Sequence, residues 1–414
     1  MAYFDFDGAI DVSIQPNAAA FPSLDKVEVR PLSYGIQPAV QGGVINLTLS
    51  EPRNLVIQVN GDIFNVLHLF LNRIEDDPIT AEQAANDSSI VYFAPGYHAL
   101  NGGKGTVNVT SGQTVYFAQG AVVNGAINIQ NVSDVSVRGR GLVYKTSNTL
   151  SAFLIESSHN VLIDGIVVLN PGYYSIMAGQ VQGVTVRNFR SISATTYGDG
   201  IDFFCSKDVL VERVFMRNSD DCIALYQHRW NYYGDSGNIT IRDSSLWADV
   251  AHPINIGTHG NADSPETMDG VMIANIDVLD HREPQVGYQG CVAISAGDEN
   301  TIQNVLVDGV RVEDFRDGML FNFRVNYNPS YNAAPGRAIR NVTVRNLSYQ
   351  GTRANMPVVN GYSDDRRVEF VDFQNLTING AHIWDGMKKP TWYLTGDTIP
   401  MFIGAHVNNF TFSS

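Results

Sequence analysis

"NVLI", residues 160–163, returns as "GVTV" at 183–186 and "DVLV" at 208–211. Each copy opens on Asn, Gly or Asp and then sets apolar residues at alternate positions, the pattern of a half-buried strand. The same unit reads "DVSV" at 134–137, "NITI" at 238–241, "GVMI" at 270–273, "NVLV" at 304–307 and "NVTV" at 341–344. Its first apolar positions, Val135, Val161, Val184, Val209, Ile239, Val271, Val305 and Val342, recur every 23 to 37 residues, a period that signals a solenoid. Such a period accommodates two or three short strands and their turns. Stacked in parallel, these rungs predict an all-β chain whose main body is a right-handed parallel β-helix with a continuous Val, Ile and Leu column. Glycosylation-type triplets such as "NIT" at 238 and "NVT" at 341 fall on this motif, so they read as strand and turn chemistry.

Upstream the pattern changes. Residues 23–73 carry short alternating strands broken by Pro and Gly at the spacing of a β-sandwich. The polar stretch "RIEDDPITAEQAANDSS" at 73–89 interrupts it. "IVYFAPGYHAL" at 90 and "TVYFAQGAVVNGAI" at 114 then begin the solenoid. The expected organisation is an N-terminal β-sandwich over 1–88 followed by the β-helix over 89–414.

Composition narrows the function. The chain has 414 residues, 44% hydrophobic and 17% charged, with a formal net charge of −15. That charge argues against nucleic acid or an anionic membrane as partner, because no basic patch is dense enough to offset it. No apolar run approaches a membrane span, and the opening "MAYFDFDGAIDVS" lacks the basic and apolar regions of a signal peptide. Cys205, Cys222 and Cys291 are too scattered for a disulfide framework or metal cage and read as small buried apolar residues.

The rung register gathers the acids. Counted from the first apolar position of each rung, Asp199 lies 15 residues on, Asp220 and Asp221 lie 11 and 12 on in the next rung, and His252 lies 13 on in the one after. Rungs are separated by roughly 4.8 Å, so these side chains are expected on one face. Like charges that close raise one another's pKa and leave one acid protonated near neutrality. A protonated carboxyl facing carboxylates is the equipment of glycoside hydrolysis. Downstream, Tyr226, His228, Trp230, Tyr232 and Tyr233 crowd one loop, where rings can stack on sugars. His281, Arg282 and Arg324, in later rungs, are expected to reach the same face as substrate ligands.

"YGDGIDFF", "SDDCIAL" and "HPINIG" resemble the glycoside hydrolase clan that joins the polygalacturonases (family 28) with the dextranases and isopullulanases (family 49). The resemblance covers most of the chain. It implies catalytic roles for Asp199, Asp220 and Asp221, with Asp220 as general acid and Asp199 and Asp221 activating water, in an inverting O-glycoside hydrolysis without metal or other cofactor. His252 and Tyr197 fall among the implied substrate-binding positions, although Tyr197-Gly198 replaces the polygalacturonase Asn-Thr and "AHP" at 251–253 replaces its Gly-His-Gly. The polygalacturonase Arg-x-Lys pair, which holds the galacturonate carboxylate, has no counterpart in "GCVAISAG" at 290–297. An acidic cleft without that pair repels uronates.

"SSLWADVAHPI" and "DVLDHREP" are similar to family 49 segments. The leading expectation is therefore hydrolysis of a neutral α-linked polysaccharide, dextran-like or pullulan-like, and the alternative is hydrolysis of galacturonan. A β-helix lyase using Ca²⁺, or a carbohydrate-binding β-helix without activity, are the competing classes. A polysaccharide partner implies an extracellular or periplasmic site of action; linkage, endo or exo mode and oligomeric state are left open by these residues.

Overall fold

A computed structural model describes residues 1–147 and 149–414. The repeat is a physical register. Val135, Val161, Val184, Val209, Ile239, Val271, Val305 and Val342 are direct cross-strand partners, each paired in parallel with the next. All eight are buried, and burying each such side chain contributes roughly 1.5–3 kcal/mol.

The residue that opens the motif turns the chain into the strand. Asp134, Asn160, Asp208, Asn238, Asn304 and Asn341 hold φ between 52° and 59°, and Gly183 and Gly270 stand at 69° and 79°. Asn, Asp and Gly tolerate this left-handed conformation best. Their side chains also bond between rungs: Asn238 Nδ2 donates to Asp208 Oδ1 at 2.7 Å, and Asn341 Nδ2 to Asn304 Oδ1 at 3.1 Å.

Two long sheets form the right-handed β-helix. An 11-stranded sheet runs from Thr106–Asn108 to Phe402–Ile403 and includes Ile176–Gly179, Ile201–Phe204, Ile223–Tyr226, Ile254–Gly257, Val292–Ala296 and Phe321–Val325. A 21-stranded sheet supplies the remaining strands of each rung. One apolar cluster fills the interior from Phe93 to Phe412. Cys222 and Cys291 belong to it, and all three cysteines are free and buried. Among the described residues no helix is long and apolar enough to cross a membrane.

The N-terminal unit comprises Met1–Pro78. Its four-stranded sheet orders Ala2–Asp5, Leu67–Asn72, Asn54–Val59 and Val27–Arg30; a three-stranded sheet orders Ile10–Ile14, Val44–Leu49 and Ala39–Gln41. Ile45, Leu47 and Leu49 of the second share a core with Leu55, Ile57, Leu69 and Leu71 of the first, which makes the unit a β-sandwich. The division falls between Pro78 and Ile79, not after Ser88. The intervening residues include a short helix, Ala81–Asn86, whose Thr80 and Gln83 form a capping box and which packs on the strand Ile90–Phe93.

Candidate active site

Three successive strands set the site. Ile201 pairs with Ile223 and Ile223 with Ile254, so Asp199, Asp221 and His252, each two residues earlier, form one column. Backbone bonds carry the ladder through these positions: Gly200 N–H donates to Asp221 O and Cys222 N–H to His252 O, both at 2.8 Å. Asp220 adjoins the column, and one carboxylate oxygen each of Asp199, Asp220 and Asp221 lies within 4.8 Å of the others. The sequence-expected cluster of three carboxylates and a histidine is therefore assembled.

The glycines flanking Asp199 are required by close approach. A Cβ on Gly200 would lie 2.2 Å from Cys222 O, and one on Gly198 would lie 2.5 Å from Ser219 Oγ. Asn218, buried beneath this turn, donates to Ser191 Oγ, Ser193 Oγ and Gly198 O at 2.9–3.1 Å. The strand that leads into Asp220 thus fixes the loop that carries Asp199.

The environments of the carboxyls differ. Burial, followed by the charge of Asp221, pushes Asp220 up to about 7. Burial also acts upward on Asp221, but His252 and hydrogen bonds from His252, Asn255 and Tyr226 outweigh it and leave Asp221 below the ordinary aspartate value. His252 is itself raised; burial acts against its charge, and Asp221 overcomes that cost. Asp199 is raised by burial and then by Asp202, Asp220 and Asp221. Two carboxyls pushed apart in this way are the pattern of an acid and its ionised partner. The trio's spacing is also one that a divalent cation can bridge.

Asp202, within the quoted "YGDGIDFF" but not singled out there, is a fourth member. It is 0% exposed and, among the described residues, neither carboxylate oxygen has a hydrogen-bond partner. Burial, then Asp221 and Asp220, raises its pKa. Asn255 and Tyr288 were likewise missed: Asn255 Nδ2 reaches Asp221 Oδ2 at 2.8 Å and the Tyr288 hydroxyl at 3.0 Å. The alternation that places Asp202 and Asn255 on the outward row of the sheet was the available signal, since both pair with Ala224.

The aromatic loop divides. Tyr226 is buried and its hydroxyl donates to Asp221 Oδ2 at 2.9 Å, so it holds a carboxylate and does not face a sugar. Tyr232 is buried, stacks on Phe204 at 5.5 Å and bonds Glu156 through its hydroxyl, so it packs the loop onto the helix. His228 stacks on Tyr233 at 4.2 Å, and Glu266 accepts both the His228 and Gly234 backbone N–H groups. Trp230 and Tyr233 are left exposed, as is Tyr197, whose ring meets Tyr173 edge-on.

The later cations also separate. His281 is fully buried, with Nδ1 on Ala251 O at 2.8 Å and Nε2 accepting from Gly290 N–H at 3.1 Å. Burial pushes its pKa down to about 3, so it is a neutral structural residue with no free nitrogen for a substrate. Arg282 is exposed, and its backbone bridges to Ala251 and Asp317. Arg324 is half-buried one rung beyond "GCVAISAG", opposite Ser295, and its Nε is sealed from solvent with no hydrogen-bond partner among the described residues.

Comparison with known proteins follows this geometry. The family model described as "Glycosyl hydrolases family 28" matches residues 84–348. An isopullulanase of Aspergillus niger is 24% identical over 341 residues, covering 74% of this chain and 53% of that protein. A polygalacturonase of Chamaecyparis obtusa is 28% identical over 146 residues, covering 35% of this chain and 26% of that one. The solved structure of Dex49A from Penicillium minioluteum superposes with a TM-score of 0.65 at 14% identity, covering 99% of this chain and 82% of its own. The chain thus spans about half the length of the isopullulanase that it matches.

Proposed function

We propose that this chain, a member of glycosyl hydrolases family 28, hydrolyses a neutral α-linked polysaccharide, dextran-like or pullulan-like, with Asp220 as general acid. The observation that carries this reading is the carboxylate trio, with one oxygen of each within 4.8 Å of the others. Asp220, raised to about 7 beside an Asp221 held low, is suited to protonate the leaving glycosidic oxygen. A second carboxylate of the cluster serves the attacking water. Similarity to an isopullulanase over most of the chain supports a glucan. Trp230 and Tyr233, exposed on a loop tied down by Glu266, offer ring faces to it.

Galacturonan hydrolysis is the second reading, and the family 28 match together with the similarity to a polygalacturonase favours it. Arg324, half-buried opposite Ser295, is the cation nearest to the missing Arg-x-Lys position. Against it, Arg324 replaces two cations with one in a chain of charge −15.

Inversion is the course implied by the resemblance. Carboxyls this close lie nearer the ~5–5.5 Å of retaining pairs than the ~6.5–9.5 Å of inverting ones, which makes product stereochemistry a sharp test. Proton NMR of the first product from an α-linked polymer is expected to show the β-anomer. The α-anomer would replace the single displacement by a double one.

A further inference from the structure

Asp221 is met by donors at every acceptor site it has. The His252 backbone N–H and Nδ1 reach Oδ1 at 3.0 and 2.6 Å. The Tyr226 hydroxyl and Asn255 Nδ2 reach Oδ2 at 2.9 and 2.8 Å. An ionised carboxylate has about four lone-pair sites, and here all are occupied on a residue that is 3% exposed. A water approaching Asp221 would have to displace one of these donors, and a displaced His252 N–H would be left buried without a partner at a cost of roughly 1–3 kcal/mol.

Asp199 is the opposite case. Among the described residues, no group of another residue donates a hydrogen bond to its carboxylate, and that carboxylate is not among the buried oxygens sealed from solvent. Behind it sits Asp202, fully buried with both oxygens unpartnered. A carboxyl so placed is stable only with its proton, and a neutral Asp202 removes the largest charge that opposes ionisation of Asp199.

We propose that Asp199 alone takes the proton of the attacking water, and that Asp221 is a positioning residue whose fixed charge acts on Asp220 without touching that water. In this step the water oxygen bonds to the anomeric carbon as the bond from that carbon to the leaving oxygen breaks. One water proton passes to Asp199, and the leaving oxygen takes the proton of Asp220. Exchange with solvent then returns both groups to their starting states. The assignment rests on the hydrolase reading above and divides between two residues a task that the family resemblance gives to both.

Leaving-group chemistry separates the two roles. The probes are the polymer that the wild type cleaves and the 2,4-dinitrophenyl α-glycoside of the same sugar, whose leaving group departs without a proton. On the polymer, Asp199→Asn and Asp221→Asn are each expected to lose about 10²–10⁴ in kcat/KM. On the aryl glycoside, Asp199→Asn keeps its loss while Asp221→Asn returns to within about tenfold of wild type, since its defect lies in the acid. Equal losses by the two variants on the aryl glycoside overturn the assignment.

A second arm uses Asp199→Ala and Asp221→Ala with sodium azide on the polymer. Azide in the space vacated by the base attacks the anomeric carbon, so glycosyl azide is expected from Asp199→Ala only. Its formation by Asp221→Ala contradicts the assignment. Absence of wild-type turnover on every polymer removes the hydrolase reading and the inference with it, an outcome distinct from either variant result.

Discussion

Asp220 and Asp221 are neighbours in sequence and opposites in charge state, and the pH profile follows from that difference. Asp220 must hold a proton to donate it, and burial with the charge of Asp221 raises it to about 7. kcat/KM is therefore expected to fall as pH rises through about 7. On the acid side Asp199 must be ionised to take the water proton; burial, then Asp202, Asp220 and Asp221, hold it above the ordinary ~3.9 of an aspartate, so kcat/KM should also fall as pH drops, from above that value. A pH–rate profile on one polymer checks both limbs. Asp202 gives a stability prediction of opposite origin. Unfolded, it ionises near ~3.9; folded, burial keeps its proton to higher pH. A raised folded value contributes stability below the unfolded pKa that is lost as pH rises through the folded one. Asp202→Asn should flatten this slope, so denaturant midpoints compared at pH 5 and pH 8 should fall less in the variant than in wild type. Asp202 also marks what sequence left obscure: the motif around Asp199 was legible, but only the packed fold leaves both of its oxygens without a donor.

At the scale of elements, the rung motif was almost wholly legible because period-2 alternation and a left-handed Asn, Asp or Gly both leave marks on neighbouring residues. The eight apolar positions read from sequence are the eight that pair. Two positions before the paired isoleucines, the same register delivers Asp199, Asp221 and His252 to one column. The aromatic loop was less legible, because whether a ring packs inward depends on partners distant in sequence. Tyr226 turns to Asp221, and Tyr232 turns to Phe204 and Glu156; neither contact has a local signature. Trp230, 45% exposed and edge-on to Phe204, is with Tyr233 a ring left for a sugar. Replacing it with Ala removes a stacking contact of about 1.4 kcal/mol, so KM should rise about tenfold with kcat little changed. Steady-state kinetics on the cleaved polymer measures that split.

For the whole molecule, the stacked rungs supply rigidity and a long outward face, while the charge of −15 sets the bias against anionic polymers. The domain order was readable from the change of strand pattern, although the polar stretch after the sandwich concealed a capped helix that belongs with the β-helix unit. Substrate identity was the least legible property, since it depends on single side chains such as Arg324 and Trp230 and on no repeating pattern. The most direct test is reducing-sugar release by wild type and Asp220→Asn on dextran, pullulan, other α-glucans and polygalacturonate, with and without EDTA. The account predicts turnover of a neutral glucan that survives chelation and is lost in the variant. Cleavage of polygalacturonate alone would contradict the substrate, and wild-type-like activity in Asp220→Asn would contradict the carboxylate chemistry itself.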